Sequence, residues 1–202
     1  MYVIAVTGGI GSGKSVACEY FRSRGAVILS LDDIAHQVLE PTTPQYDAVV
    51  RAFGEGVLDA HGRIDRAALA AAAFEDQEST ERLNAIVHPA VLREVAEGIT
   101  SLRLMERPPQ VVVFEIPLLV EAPVFADVAD TVLSINAPED VRMARTVAAG
   151  RTESDARLRL NRQASDAQRA ALADNVIANT GSLETFLGRL EEYWETVAPR
   201  GS

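Results

Sequence analysis

Eight residues near the start of the chain, Gly8-Gly9-Ile10-Gly11-Ser12-Gly13-Lys14-Ser15, restrict the possible folds more than any other stretch. They satisfy the pattern G-x-x-x-x-G-K-[ST], directly after the apolar run Val3–Val6 and directly before a helical pattern that begins at Lys14. A glycine-rich turn of this length lets successive backbone N–H groups converge on phosphate oxygens. The helix that follows adds the positive end of its dipole. In this arrangement Lys14 reaches the β- and γ-phosphates of a nucleotide and the Ser15 hydroxyl ligates Mg²⁺. Lys14 is also the only lysine among 19 basic residues, the others all being arginine. A compact ammonium on a flexible stem fits inside a closely wrapped loop where a planar guanidinium does not.

A phosphate loop of this kind requires a parallel sheet, and the rest of the chain supplies one. β-rich apolar runs recur at Val3–Val6, Ala26–Leu29, Val111–Phe114, Thr131–Ile135 and Asn175–Ala178. They alternate with helical patterns, which gives a three-layer α/β fold of the P-loop NTPase type with a five-stranded parallel sheet. The expected helices are Lys14–Arg24, Asp33–Val38, Tyr46–Phe53, Arg66–Phe74, Thr80–Ile86, Ala90–Arg107, Pro138–Ala149, Ser154–Asn161, Ala167–Ala173 and Leu183–Thr196. About 80 residues separate the second and third strands, far more than one crossover needs, and they read as almost wholly helical. One P-loop domain is expected to fill the chain: a core of about residues 1–33, 108–140 and 164–202, a helical insertion at 34–107 and a lid at 141–163.

The net charge of −10 argues against a broad nucleic-acid or anionic-membrane surface, so an anionic substrate must be met by local features. No apolar run reaches the length of a membrane span, and the N-terminus lacks the pattern of a signal peptide. The single cysteine, Cys18, excludes an internal disulfide and fits a reducing compartment, so a cytoplasmic protein is expected. A monomer or weak homo-oligomer is the default assembly.

The phosphate loop alone fits a kinase, a GTPase, an ATPase motor or a nucleotide sensor. The guanine-specific N-K-x-D signature is absent from a chain with one lysine, which sets the GTPase aside. The second strand ends Ile28-Leu29-Ser30-Leu31-Asp32-Asp33 and so delivers carboxylates at the carboxyl edge of the sheet, where α/β folds place ligands. Asp32 there serves either as the base for an attacking hydroxyl or as the cap of the following helix.

Further pieces run in order along nearly the whole chain: Ile34-Ala35, Phe53-Gly54, Gly62 with Asp65-Arg66 and Leu69, Phe74, and Leu83-Asn84-Ala85-Ile86-Val87-His88-Pro89. They continue with Glu115-Ile116-Pro117-Leu118-Leu119-Val120-Glu121, Gln163, and Ala173-Asp174-Asn175-Val176-Ile177 with Asn179 and Gly181. In this order and spacing, together with the phosphate loop and Asp32, the chain resembles the dephospho-coenzyme A kinases. The resemblance implies transfer of the ATP γ-phosphoryl to the ribose 3′-hydroxyl of dephospho-CoA, the last step of coenzyme A biosynthesis, with a helical CoA-binding region and a mobile lid. It implies ATP binding by Gly9, Gly11, Ser12, Gly13, Lys14, Ser15 and Val16, with Asn179, and it makes Asp32 the catalytic base.

Glu115 ends an apolar strand and either meets Mg²⁺ through water or anchors the loop before Pro117. His88 shapes the acceptor pocket or, with Pro89 at a helix start, is structural. Arg66 contacts the acceptor or covers a helix face with its stem. Leu118 and Leu119 form apolar walls. From Arg142 to Arg162 there are six arginines against Glu153 and Asp155, a local positive excess that would close over polyphosphate as a lid or else coat a solvated helix. Arg145 is the first choice for stabilising the transferring group.

Three departures from the family pattern stand out. Ser30 replaces the first Asp of an Asp-x-Asp pair, Val16 replaces a second hydroxyl after Ser15, and no Arg stands four residues after Arg145, although Arg151 follows two positions further on. The rival readings are another small-molecule or nucleoside kinase, and a nucleotide-binding regulator without catalysis.

Overall fold

The structure is a computed structural model that describes residues 1–116, 119–120 and 122–198, the Arg162 side chain excepted. Five strands, β1 (Tyr2–Thr7), β2 (Val27–Ser30), β3 (Val111–Ile116), β4 (Thr131–Asn136) and β5 (Asn175–Ala178), form one sheet in the order β2-β3-β1-β4-β5. β1 lies at its centre, parallel to β3 with Ile4 opposite Val113 and parallel to β4 with Ile4 opposite Thr131; β5 continues parallel beyond β4. The central strands read as continuous apolar runs because both of their faces are covered. Val3 to Val6 are wholly buried, as are Val112, Val113 and Phe114. The edge strand β5, by contrast, buries only Ile177.

Helix α1 (Lys14–Ser23) and helix α9 (Leu183–Val197) pack against one face. Phe21 from α1 enters a cluster with Ile4, Val6, Val113, Leu133, Ile135, Phe186 and Leu190, and its ring stacks on Trp194 at 5.8 Å between centroids. Each such side chain contributes about 1.5–3 kcal/mol by leaving water. The remaining helices are α2 (Leu31–Gln37), α3 (Pro44–Phe53), α4 (Arg66–Ala73), α5 (Gln77–Arg103), α6 (Glu139–Ala148), α7 (Glu153–Arg162) and α8 (Asp166–Ala171), with 3₁₀ turns at Glu55–Val57 and Pro123–Val128.

The chain divides into two compact units, residues 1–29 with 99–202, and residues 30–98. The second has its own small core of Val49, Val57 and Leu69, against which Phe53, Ile64, Leu83 and Ile86 pack.

The five strands stand where the sequence puts them, within two residues. The expectation of two helices separated at Pro89 is corrected: α5 runs unbroken from Gln77 to Arg103 with Pro89 inside it. An interior proline forfeits a backbone hydrogen bond, but Ala90, Val91, Val95 and Ile99 are buried along this helix at 0–4% exposure. The buried stripe holds the helical path through the break.

Candidate active site

Strand β1 ends at Thr7 and α1 begins at Lys14, so residues 8–13 are the turn between a buried strand and a helix N-terminus. Gly11 and Gly13 adopt left-handed backbone (φ 73° and 104°), which strains any residue with a side chain. Space forbids one as well: a Cβ at Gly11 would lie 2.5 Å from the Arg142 carbonyl oxygen, and one at Gly13 would lie 2.3 Å from Asn179 Nδ2. The glycines therefore satisfy neighbouring elements and the phosphate turn together.

Lys14 bends back over the loop. Its Nζ donates to Gly8 O at 2.8 Å and Gly9 O at 3.3 Å and lies 3.6 Å from Glu115 Oε1. Burial lowers its pKa, with the nearby Arg169 charge adding to the effect and Glu115 opposing it. An ammonium held away from water at this turn is suited to accept a phosphate anion. The Ser12 hydroxyl is fully buried and, like Thr7 Oγ1, has no hydrogen-bond partner among the described residues.

Two arginines of α6 reach this loop. Arg145 donates to Gly11 O at 3.5 Å and to Asn179 Oδ1 at 3.2 Å. Asn179 in turn donates through Nδ2 to Ser12 O at 2.7 Å and through its backbone to Asn136 O. Arg142, only 6% exposed, lies against Gly9, where a Cβ would meet its Nη1 at 1.8 Å. Its Nε and Nη1 find no hydrogen-bond partner among the described residues, and burial lowers its pKa. Gln163 completes the enclosure by accepting from Ile10 N at 2.9 Å. Arg151 and the arginines Arg157 and Arg159 of α7 behave differently. Arg151 and Arg159 pair with Asp155, and Arg157 pairs with Glu153, all partly exposed. That part of the positive excess is a solvated helix face of modest energetic weight.

The buried unpartnered donors of Arg142 and the orphaned Ser12 hydroxyl fit a polyphosphate. For Mg²⁺ the donor set is the exposed Ser15 hydroxyl and the Glu115 carboxylate, and the described residues hold no cluster of three or more His, Cys, Asp or Glu. Magnesium commonly takes one or two protein oxygens and completes its shell with water and substrate phosphates, so the residues present suit it.

The remaining candidates are Asp32, Arg66 and His88 in the unit of residues 30–98, Val16 and Leu119 in the unit that carries the loop, and Leu118, which lies outside the described residues. Asp32 follows the carboxyl end of β2 and is exposed in the first turn of α2. It is not the cap of that helix. Ser30 is: its Oγ accepts from Asp33 N at 3.2 Å. The residue that departs from the family pattern thus does the capping, and the Asp32 carboxylate stays available to solvent and ligands. Arg66 starts α4 and lines a cleft of about 250 Å³ with His36, Glu40, Asp59 and Arg63. His36 Nε2 is buried there without a hydrogen-bond partner among the described residues. His88 sits half-buried inside α5, and burial lowers its pKa. Val16, at the start of α1, is exposed, Leu119 is buried, and Leu118 lies outside the described residues.

The sequence reading missed Arg169. It is 2% exposed, and its Nη2 stands 3.0 Å from where a Gly9 Cβ would be. It lies on a short helix more than 150 positions from the loop, so no spacing rule marks it.

With this geometry in place, comparison with known proteins gives one consistent result. The family model described as Dephospho-CoA kinase matches residues 2–185. A dephospho-CoA kinase from Thermobifida fusca is 40% identical over 201 residues, covering 99% of this chain and 98% of that protein. The crystal structure of TT1252 from Thermus thermophilus superposes with a TM-score of 0.81 at 33% identity, covering 98% of both chains. A dephospho-CoA kinase from Campylobacter jejuni has the same fold, with a TM-score of 0.71 at 24% identity and coverage of 97% of this chain and 96% of that one. A P-loop with one enclosed lysine, on a five-stranded sheet matched along its whole length, makes this chain a member of the dephospho-CoA kinase family.

Proposed function

We propose that this protein transfers the γ-phosphoryl group of ATP to the ribose 3′-hydroxyl of dephospho-CoA, giving coenzyme A and ADP. The observation that carries the reading is the phosphate loop itself: Lys14 enclosed and Arg142 buried with two nitrogens that make no hydrogen bond among the described residues, in a chain 40% identical to a dephospho-CoA kinase over nearly its whole length.

In this reading residues 8–16 hold the ATP phosphates through backbone N–H groups, and Asn179 braces the loop from behind. Lys14 and Arg142, with Arg145 beside them, stabilise charge on the transferring group. Ser15 and, through water, Glu115 would hold Mg²⁺, which would supply neutralisation of the phosphate charge. The acceptor occupies the helical insertion at 34–107, where Arg66 and the polar cleft around it, together with His88, offer contacts to an anionic nucleotide. Asp32 takes the proton of the 3′-hydroxyl, whose oxygen forms the new bond to the γ-phosphorus while the bond to the bridging oxygen breaks and ADP leaves with the electron pair. Residues 141–163 act as a lid that excludes water which would otherwise hydrolyse ATP. Among the described residues no helix is long and apolar enough to cross a membrane. We place the protein in the cytoplasm as a monomer or weak homo-oligomer.

The test is turnover with MgATP and a panel of hydroxyl acceptors, read by ADP release and product mass. Phosphorylation of dephospho-CoA is expected; brisk turnover of another acceptor with none of dephospho-CoA overturns the proposal.

A further inference from the structure

Two arginines buried at the phosphate loop share one carboxylate counter-ion among the described residues. Arg142 from α6 and Arg169 from α8 both lie against Gly9, at 6% and 2% exposure. Like charges this close, in surroundings that shed water, drive each other out of register unless something holds them. The holder is Asp166. Its Oδ1 accepts from Arg169 Nη2 and stands 3.7 Å from Arg142 Nη1. No other carboxylate among the described residues forms an ion pair with either arginine; Glu139 acts on Arg142 without one.

Asp166 is not needed to start its own helix. Ser165 caps α8 in a reciprocal capping box with Gln168, and this arrangement is independent of the Asp166 side chain. Arg169 has one other anchor, the Ala164 carbonyl, whereas Arg142 Nε and Nη1 have no hydrogen-bond partner among the described residues. The carboxylate therefore serves the two guanidiniums and not the local backbone.

We propose that Asp166 is a positioning residue for phosphoryl transfer, bridging Arg142 and Arg169 so that both guanidiniums stand beside Gly9 in the orientation that meets the donor's phosphates. The inference rests on the kinase reading above. It predicts an unusual split. Removing the carboxylate leaves the loop more positive, so ATP is held at least as well. The guanidiniums lose their fixed direction, so the transition state is stabilised less.

The experiment is steady-state kinetics of wild type, Asp166→Asn and Asp166→Glu with MgATP and dephospho-CoA, with thermal melts to establish folding. For Asp166→Asn the expected result is a kcat about tenfold lower with KM for ATP unchanged or lower. Asp166→Glu, which restores the charge, is expected to recover most of that kcat. A kcat within twofold of wild type in Asp166→Asn overturns the inference, as does a fall in kcat matched by a rise in KM, or a glutamate variant no better than asparagine. If asparagine unfolds the chain, Asp166→Ser is read in its place: a kcat about tenfold lower at unchanged KM for ATP supports the inference, and a kcat within twofold of wild type overturns it. A wild-type protein that fails to phosphorylate dephospho-CoA overturns the functional reading itself, which an active wild type beside a fully active Asp166→Asn does not.

Discussion

Lys14 and Asp32 carry the sharpest expectations at the scale of single residues. Lys14 is the only lysine, and burial lowers its pKa, so a larger fraction of its amine is neutral and nucleophilic than in an exposed lysine. Amine-directed labelling is expected to mark only Lys14 and the N-terminus, and bound MgATP should protect Lys14; peptide mass mapping with and without nucleotide checks this. Asp32→Asn removes the proposed base while leaving the phosphate loop untouched. ATP affinity should stay near wild type while kcat falls by about 10²-fold or more, the usual scale for a general base. Undiminished phosphoryl transfer in that variant would return Asp32 to a surface role in the first turn of α2.

Among the elements, the phosphate turn and α2 are each limited by backbone geometry. Gly11→Ala places a Cβ against the Arg142 carbonyl at a left-handed φ, so it should destabilise the fold by about 1–3 kcal/mol and weaken nucleotide binding as well. Urea unfolding and equilibrium nucleotide titration measure the two effects. The N-terminus of α2 offers a milder test. Ser30→Ala removes the acceptor for Asp33 N and should cost about 1 kcal/mol, whereas Ser30→Asp, which brings in the family's usual residue, keeps a capping oxygen and should cost a few tenths at most. Loss of equal stability in both would show that the Ser30 cap contributes nothing.

For the whole molecule, the buried thiol of Cys18 couples stability to alkaline pH. Burial, reinforced by Glu115, raises its pKa from 9.0 to about 12, with Lys14 and Arg22 opposing. The folded chain therefore keeps a proton that the unfolded chain releases. The contribution is fully present below about pH 9 and is lost progressively between pH 9 and 12. Chemical unfolding across that range should show a shallower decline for Cys18→Ala than for wild type; parallel curves would refute the coupling. Features governed by neighbours along the chain were legible from the amino acids alone: the phosphate turn, the alternation of strands and helices, and Asp32 just past β2. Period and spacing are short-range quantities, and each of these features depends on them alone. Tertiary packing decided the rest. It carried α5 through Pro89, because a buried apolar stripe outweighed a local break. It brought Arg145 to Gly11 across 134 positions, and it separated arginines buried at the loop from those paired with acids on α7. Arg142, Arg169 and Asp166 meet at the phosphate loop only because β1, α6 and α8 pack there, and no local pattern in the sequence encodes that convergence.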